Sequence, residues 1–438
     1  MFALVRVRPC QRSRPRLELA TVASTASRLT LVNSVAPSPP APSPQGVGKV
    51  MRHAGWLSLV LVVLPLFGVD LMLPAMPIFG RELGAGVAAT QATLSVFALG
   101  FALMHLILGP LADRYGRRPC LIAGLVLFTG ASVACALAPS IETLIAARFV
   151  QALGAGSGPL VARAVIRDVY GAEGAGRMMG FVMAFFGVGA IVTPIVGGLV
   201  VDALGWRANF YVAGGYGALL ILLAGALLPE TMPARLPGSA RPSYLRGFGV
   251  LLVDRRFIVV AASGCLIASA MFTWISGSSF VVQNVFGRSA SAHGAIYATT
   301  VAGFVVMSLL SARLAPRLGS YRLLRIGSVI AAAGGVLGIA LGLGSALTLL
   351  AVLAAMALMA VGHGFTLPQS MAASVTPFPQ RAATASALFG FLQYGCNSVV
   401  TMLNGALYDG SARPMLAIVA GLTVAGALLY ALLRPRNN

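Results

Sequence analysis

The stretch Gly109–Leu121, GPLADRYGRRPCL, brings four charged side chains into six consecutive positions of a chain in which only 10% of the residues are charged. They are Asp113, Arg114, Arg117 and Arg118, and glycines and a proline surround them. The apolar segments on both sides are each long enough to cross a bilayer. This pattern is typical of a short connection between membrane helices, held at the depth of the lipid headgroups.

The composition of the whole chain indicates a membrane protein. Of its 438 residues, 58% are hydrophobic, which leaves too few polar residues to cover the surface of a soluble protein. The apolar runs are continuous and do not alternate, which favours helices over a membrane β-barrel. We predict an all-α membrane protein with twelve transmembrane helices, centred near residues 67, 101, 128, 156, 190, 218, 271, 303, 333, 360, 394 and 422.

The positive charges predict the orientation of these helices. If the N-terminus is cytoplasmic, eighteen arginines fall on the cytoplasmic side and only four on the other, namely Arg81, Arg207, Arg288 and Arg413. The positive-inside rule therefore predicts cytoplasmic N- and C-termini, the N-in/C-in topology. The same rule accounts for the net charge of +20, so that no nucleic-acid partner is expected.

Residues 1–50 differ in composition from the rest of the chain. They are rich in Arg, Ser, Thr and Pro, with Glu18 as the only acid, and we predict a disordered N-terminal extension. Two interpretations stay open. The segment is either an organellar transit peptide or the product of a start assigned too early, with Met51 as the true first residue.

The remaining sequence divides into two related parts. A polar, basic, proline-containing segment, 230–255, is predicted to be a cytoplasmic linker between six-helix halves at 51–229 and 256–438. Each half carries a similar motif after its second predicted helix, LADRYG from Leu111 and LAPRLG from Leu314. Duplicated six-helix units with a binding site between them are the architecture of alternating-access transporters.

One acid is predicted to lie inside a membrane span. Asp70 follows Trp56 by fourteen residues, or about 21 Å of helix at 1.5 Å per residue. An acid at that depth costs about 2.5–3.5 kcal/mol unless it is neutral, paired or facing water. We therefore predict that Asp70 loads and releases a proton. The alternative is that Asp70 lies close enough to the outer surface to be solvated, and that a kink at Pro74 helps to expose it.

Arg148 is the one arginine predicted to lie deep in a span. Gln151 falls on the same helical face, next to small residues that allow close packing. Arg148 should therefore face the central cavity and act there on an acid such as Asp70. The alternative is a structural hydrogen bond from Arg148 to backbone carbonyls.

Other chemistry is not indicated by the sequence. The five cysteines are scattered, and the four histidines form no metal-binding motif, although His105 and His363 lie in or near spans as possible cavity groups. The glycines of GAGSG, from Gly154, follow no strand and are interpreted as helix packing. Without a nucleotide-binding loop or a catalytic cluster, we expect no enzyme, cofactor or metal site.

The opening stretch resembles motif A of the major facilitator superfamily. More specifically, residues 55–433 resemble the bicyclomycin-resistance (Bcr/CflA) group of drug:proton antiporters. The stretches that carry this resemblance are DLMLPAMP from Asp70, RFVQALGAGSGPLVARAVIRD from Arg148, TPIVGG from Thr193, LPET from Leu228, WISGSSFV from Trp274 and LPQSMAASVTPFPQRAATASALFGFLQ from Leu367. The resemblance implies outward export of amphipathic compounds in exchange for protons, in a multi-pass protein of the bacterial inner membrane.

The resemblance also assigns expected roles to two sets of residues. The antiporter motif of the fifth helix corresponds to Gly189, Pro194, Gly197 and Gly198. In motif A, formed by Gly109, Asp113, Arg114, Gly116, Arg117 and Arg118, Asp113 is expected to hold the two halves together in the outward-facing state. The alternative is that these charges only fix the topology.

Two departures from the group concern the range of substrates. Thr193 stands where a glycine usually precedes the proline, and Met72 stands where the first helix usually has a tyrosine. Polar and aromatic residues that would line a site for large apolar or weakly cationic compounds are Gln151, Trp274, Phe280, Gln283, Tyr297, Gln393, Tyr394 and Asn397. Each of them could equally be a packing residue. The expected partners are a small-molecule substrate, protons and the bilayer, with the chain acting as a monomer.

The open alternative in function is a proton-linked or facilitated carrier for a specific metabolite. It would be favoured by a second charged pair in the cavity, and the sequence offers none that can be placed there.

Overall fold

The computed structural model describes residues 49–231, 244–344 and 347–433, and these residues form helices and no strands. We call residues 49–231 the first half and residues 244–433 the second half. The helices are α1 Lys49–Leu61, α2 Leu64–Gly68, α3 Met76–Glu82, α4 Val87–Tyr115, α5 Arg117–Ala136, α6 Ile141–Ala155, α7 Ser157–Leu204, α8 Trp206–Leu227, α9 Tyr244–Val253, α10 Arg255–Phe280, α11 Ala290–Leu318, α12 Ser320–Gly342, α13 Leu349–Val375, α14 Ala382–Ala406 and α15 Arg413–Leu433.

Eleven helical segments in the described part of the chain are long and apolar enough to span a membrane. Each contains one of the predicted helix centres, and the chain is therefore a multi-pass membrane protein. The twelfth centre, near residue 394, falls in α14, which is not among the eleven. Polar residues such as Gln393, Asn397 and Asn404 lower the hydropathy of α14, although its 25 residues make a helix of about 37 Å.

The first span, His53–Glu82, is broken in the middle. α1 ends at Leu61, a short α2 follows, and a 3₁₀ turn over Leu73–Ala75 leads into α3. Pro65, Pro74 and Pro77 lie at the starts of the later segments, where a missing N–H costs no helical hydrogen bond. Asp70 lies in the turn between α2 and the 3₁₀ turn.

The two related sequence motifs have the same local structure. LADRYG closes α4 and LAPRLG closes α11, and both helices are 29 residues long. Gly116 has a φ of 100° and Gly319 has a φ of 76°. In each half this left-handed glycine ends one span and lets the next begin at the following residue.

The connections differ from the expectations in two places. α9 forms inside the predicted linker, whereas residues 232–243 lie outside the described part of the chain, as does the predicted disorder of residues 1–48. Arg163, counted by sequence among the connecting residues, lies instead within the span Ile141–Gly171. The helix continues past it to a kink at Gly171, where φ is 64°.

Candidate functional site

Asp70 lies at the break in the first span and is buried, with 5% of its surface exposed. The hydroxyl of Tyr297, in α11 of the second half, donates a hydrogen bond to its carboxylate over 3.3 Å. Among the described residues, no cation lies within 4.0 Å of this carboxylate. The ionised form is thus held in a costly setting, with a partner that belongs to the other half of the chain.

Arg148 is buried beside the same break but does not pair with Asp70. Its Nη1 donates to the carbonyl of Gly68 and to Oε1 of Gln151, both over 2.6 Å. Its guanidinium lies over the ring of Phe97, 4.4 Å from the centroid. Of the two interpretations left open by the sequence, these contacts match the hydrogen bond to a backbone carbonyl.

Side chains from other parts of the chain donate hydrogen bonds to four backbone carbonyls of the broken first span. Three of the four donors come from the first half, and the fourth, Gln283, comes from the second half. The hydrogen bonds are Tyr216 to Val60 over 2.7 Å, Arg148 to Gly68 over 2.6 Å, Asn209 to Leu71 over 2.7 Å and Gln283 to Pro74 over 2.9 Å. The break is therefore a fixed element, because buried carbonyls without partners would be costly.

The residues of the expected antiporter motif pack α7 between two neighbours. A methyl group on Gly189 would lie 2.9 Å from Cγ1 of Val63, and Gly197 packs against the backbone of Leu71, both in the first span. On the other side, a methyl group on Gly198 would lie 2.6 Å from the carbonyl oxygen of Ala290, in α11. The absence of side chains at these glycines lets α7 approach both helices closely.

The two halves are in contact at the end of the bundle that carries Asp202. The backbone N–H of Ser291 donates to Asp202 over 3.0 Å, and Gly294 packs against the carbonyl of Pro194. Deeper in the bundle, Ser95 donates to the carbonyl of Ser398 over 2.8 Å, and Asn404 donates to Gln91 over 3.3 Å. These contacts close this end between α4 and α14 and between α7 and α11.

A cavity of about 320 Å³ lies at the opposite end, beside the loop at Gly116. Both halves contribute to its wall, which is largely apolar. Its charged and titratable lining residues all come from the first half, and they are His105, Asp113, Arg117, Arg163 and Arg167.

The charges of the opening stretch form a network within the first half. Arg117 donates to Asp113 over 3.3 Å and to Asp168 over 3.4 Å. The carboxylate of Glu230 accepts the backbone N–H groups of Arg117 and Arg118, over 2.9 and 3.2 Å, at the start of α5. The expected role of Asp113 in the outward-facing state stays a prediction.

The other candidates for the substrate cavity lie elsewhere. Gln151, Gln283 and Tyr297 make the hydrogen bonds described above, Asn397 accepts one from Ser269, and Trp274 and Phe280 are fully buried. Tyr394 packs edge-on against Phe101 and stacks on His105, with centroids 4.5 and 5.5 Å apart. None of these seven, nor Gln393, lines the 320 Å³ cavity.

Of two polar residues that line the cavity, His105 and Arg163, the sequence analysis expects only the first there. His105 was named as a possible cavity group and is found on the wall, whereas His363 is buried against Phe304. Arg163 was missed as a cavity residue because it was assigned to a connection. A signal is present in the spacing: Arg163 follows Arg148 by fifteen residues in the span Ile141–Gly171, which places both near the same face of that span.

Comparisons with known proteins place these features in a family. The sequence model of the Major Facilitator Superfamily matches residues 58–401. The uncharacterized MFS-type transporter YdgK of Bacillus subtilis (strain 168) is 30% identical over 389 residues, covering 87% of this chain and 96% of that protein. The bicyclomycin resistance protein homolog of Haemophilus influenzae is 27% identical, and the multidrug resistance protein MdtL of Klebsiella pneumoniae (strain 342) is 29% identical. Both matches cover 86% of this chain and 95% of the relative.

A solved structure shares the fold at much lower identity. The nucleoside transporter NupG superposes with a TM-score of 0.70 at 15% identity, covering 88% of this chain and all of that one.

Proposed function

Because the chain belongs to the major facilitator superfamily, we propose that it exports drugs or other amphipathic small molecules in exchange for protons, by alternating access. The resistance proteins among its relatives support the class of substrate. Their similarity extends over almost their whole length, so no large part of the relatives lacks a counterpart here. The expectation of a transporter rather than an enzyme follows from the same family membership.

We propose that twelve helices cross the inner membrane of a bacterial cell, with both termini in the cytoplasm. In this arrangement α14 is the eleventh span. Its length, its packing along α4 and its place in the sequence between the apolar spans α13 and α15 support this assignment. The excess of arginines on one side supports the orientation. The two halves are then six-helix repeats joined by a cytoplasmic segment, and a single chain suffices for transport.

The conformation supports a cycle in which a central site opens to each side in turn. With this orientation, the 320 Å³ cavity lies on the cytoplasmic side and the contacts around Asp202 close the outer side. The structure then corresponds to the inward-facing state. The glycines at 189, 197 and 198 are proposed to let α7 pack tightly in this state, and Asp113 to act in the opposite one.

The single observation that carries proton coupling is the position of Asp70. It is buried without a cation, and its hydrogen-bond partner Tyr297 belongs to the half that must move. Binding or releasing a proton at Asp70 changes the contact with Tyr297, so protonation and movement of the halves are linked. Arg148 is proposed to fix the backbone next to Asp70 by holding the carbonyl of Gly68.

The driving force is sufficient for resistance without ATP. One proton moving down a potential of about 100 mV supplies ~2.3 kcal/mol. At 1.36 kcal/mol for each factor of ten, this supports a substrate gradient of roughly fifty-fold.

The test uses purified protein in liposomes and compares two kinds of transport. Uptake of a drug such as bicyclomycin is driven by an imposed pH gradient, and exchange of labelled for unlabelled drug is measured without a gradient. We expect Asp70→Asn to lose gradient-driven uptake by more than tenfold and to retain exchange, because the neutral amide cannot carry a proton. Asp409→Asn, in an exposed loop, is the matched control and should behave as the wild type.

Gradient-driven uptake that persists in Asp70→Asn would move proton coupling to another residue. Transport of a metabolite and of none of the drugs tested would favour the specific carrier instead.

A further inference from the structure

The strongest unexplained feature of the cavity is Arg163. Resting on the proposed transport function, we propose that Arg163 binds an acidic group, such as a carboxylate or sulfonate, of the transported compound. Arg163 lies inside the fourth span, on the wall of the 320 Å³ cavity and partly exposed to it. It has no hydrogen bond or ion pair with any of the described residues.

The other charges around the cavity are already paired. Arg117 lies between Asp113 and Asp168, at 3.3 and 3.4 Å, and Arg167 approaches Asp168 to 3.9 Å. Among the side chains that the structure describes, two aspartates therefore serve two of the three arginines, and Arg163 is the cation left over. A cation within a membrane span is costly without a partner, so an anion is the group that this position lacks among the described residues.

The position of Arg163 differs from that of an arginine that only fixes topology. Arginines of that kind need only lie close to the end of a span, as Arg177 does, exposed three residues after the start of the span Gly174–Leu204. Arg163 lies two helical turns before the kink at Gly171 and faces a space between the halves. A substrate can reach it there, and the charge disfavours a cationic substrate in the same space.

The surroundings of Arg163 define the rest of the compound. His105 lies on the same wall, with Nδ1 bonded to the carbonyl of Phe101 over 3.0 Å, and it stacks on Tyr394. Leu106, Leu108 and Leu160 add apolar wall. An acidic group at Arg163 with an aromatic ring against these residues describes an amphipathic aromatic acid, and the volume is at the small end of ligand sites.

The test compares three probes that share a dansyl ring system. Dansylglycine carries a carboxylate, dansylglycinamide replaces it with a neutral amide, and dansylcadaverine carries a cation. Binding is measured at equilibrium on the full chain in nanodiscs of zwitterionic lipid, with empty nanodiscs subtracted. The variants are Arg163→Gln, Arg163→Lys and the control Arg177→Gln, which removes an arginine exposed outside the cavity.

We expect the wild type and Arg177→Gln to bind dansylglycine about tenfold or more tightly than dansylglycinamide, as for a charge-assisted hydrogen bond. Arg163→Gln should lose that preference with its affinity for dansylglycinamide unchanged. Arg163→Lys should keep part of it, because the ammonium retains the charge without the planar fork.

Three outcomes would overturn the proposal. The first is that the wild type fails to prefer dansylglycine or binds dansylcadaverine more tightly. The second is that Arg163→Gln weakens dansylglycine and dansylglycinamide equally, which indicates a packing role. The third is that adding phosphatidylglycerol to the nanodiscs abolishes dansylglycine binding only when Arg163 is present, which assigns the site to a lipid headgroup.

This binding experiment needs no proton gradient, so it separates the site from the proposed antiport. If gradient-driven uptake fails while the preference for dansylglycine depends on Arg163, the antiport is wrong and the anion site stands. If cationic drugs alone are exported with protons, the antiport stands and the anion site is wrong.

Discussion

The phenol of Tyr297 donates a hydrogen bond to the carboxylate of Asp70 over 3.3 Å, and the two residues come from different halves of the chain. Tyr297 is itself stacked on His293, whose Nε2 lies 2.9 Å from the hydroxyl of Ser278. The ring of Tyr297 is therefore fixed within the second half, and its hydroxyl reaches the first. The group proposed to carry the proton is thus also a group that connects the halves.

We expect Tyr297→Phe to favour opening at the end near Asp202. The ring and its stacking on His293 remain, and only the donor is lost. A hydrogen bond to a charged acceptor contributes about 1.5–3 kcal/mol, which corresponds to a population change of roughly tenfold or more. The measurement is the rate at which an impermeant maleimide labels a cysteine at Ala290, which is now buried between the halves.

The control for this experiment is Tyr211→Phe, because Tyr211 is half exposed on α8 and is not part of the contact between the halves. An unchanged labelling rate in Tyr297→Phe, in a background without other cysteines, would show that the Asp70 contact does not hold the halves together.

The burial of the ion pairs around Arg117 predicts that Arg117→Gln lowers the free energy of unfolding much more than the same change in an exposed ion pair. Asp168 has 9% of its side chain exposed, so Arg117→Gln leaves it buried without one of its cations and should cost about 3–5 kcal/mol. The pair Arg207–Glu82 is exposed, at 45% and 53%, and Arg207→Gln should cost about 0–1 kcal/mol. The measurement is the free energy of unfolding of the two variants in the same detergent.

Adding Asp168→Asn to Arg117→Gln should recover part of the lost stability, since the uncompensated acid is then removed. Equal losses for Arg117→Gln and Arg207→Gln would mean that water reaches both pairs alike.

Replacing two glycines of α11 by Ala distinguishes an effect on helix packing from an effect on helix propensity. Gly294 packs against the carbonyl of Pro194, whereas a methyl group on Gly303 would meet no atom within 4 Å. Replacement by Ala removes about 0.8–1.0 kcal/mol of unfavourable helix propensity at either position. We expect Gly294→Ala to push α11 away from α7 and lower transport by tenfold or more, and Gly303→Ala to leave it unchanged.

The labelling of a cysteine at Ala290 checks the cause of that loss. It should rise in Gly294→Ala and stay constant in Gly303→Ala. Reduced transport with constant labelling would place the effect of Gly294→Ala somewhere other than the contact between the halves.

The positions of the helices could be predicted from the sequence, but their contacts could not. Continuous apolar runs located each of the eleven described spans, because length and composition decide whether a segment can cross a membrane, and the centre near residue 394 falls in the helix α14. The relation between LADRYG and LAPRLG is likewise present in the structure as two left-handed glycines, at Gly116 and Gly319. These are local properties of the chain.

The side-chain contacts of the candidate site could not be predicted, because they depend on residues that are distant in the chain. The proline pattern indicates a kink in the first span, yet nothing near Gly68 shows that Arg148, eighty residues later, bonds its carbonyl. Arg163 was misplaced because the end of its span is set by the conformation of Gly171 and not by a change in composition. Which wall a residue faces depends on helix rotation, which the neighbouring helices determine.

The broken first span gives a prediction that joins stability to coupling. Asn209 is fully buried and donates through Nδ2 to the carbonyls of Leu71 and Gly197, over 2.7 and 3.2 Å. Asn209→Leu keeps the approximate size and removes the donor. The unpaired carbonyl at Leu71 should cost about 1–3 kcal/mol, seen as a lower unfolding temperature.

Because Leu71 follows Asp70 directly, the same variant should disturb proton coupling more than substrate exchange. We expect gradient-driven uptake to fall at least threefold further than exchange without a gradient. Gln380→Leu, at an exposed side-chain amide, should change neither quantity. A normal unfolding temperature in Asn209→Leu would mean that water replaces the amide at Leu71, and that the break near Asp70 is fixed by its prolines rather than by the side chains that surround it.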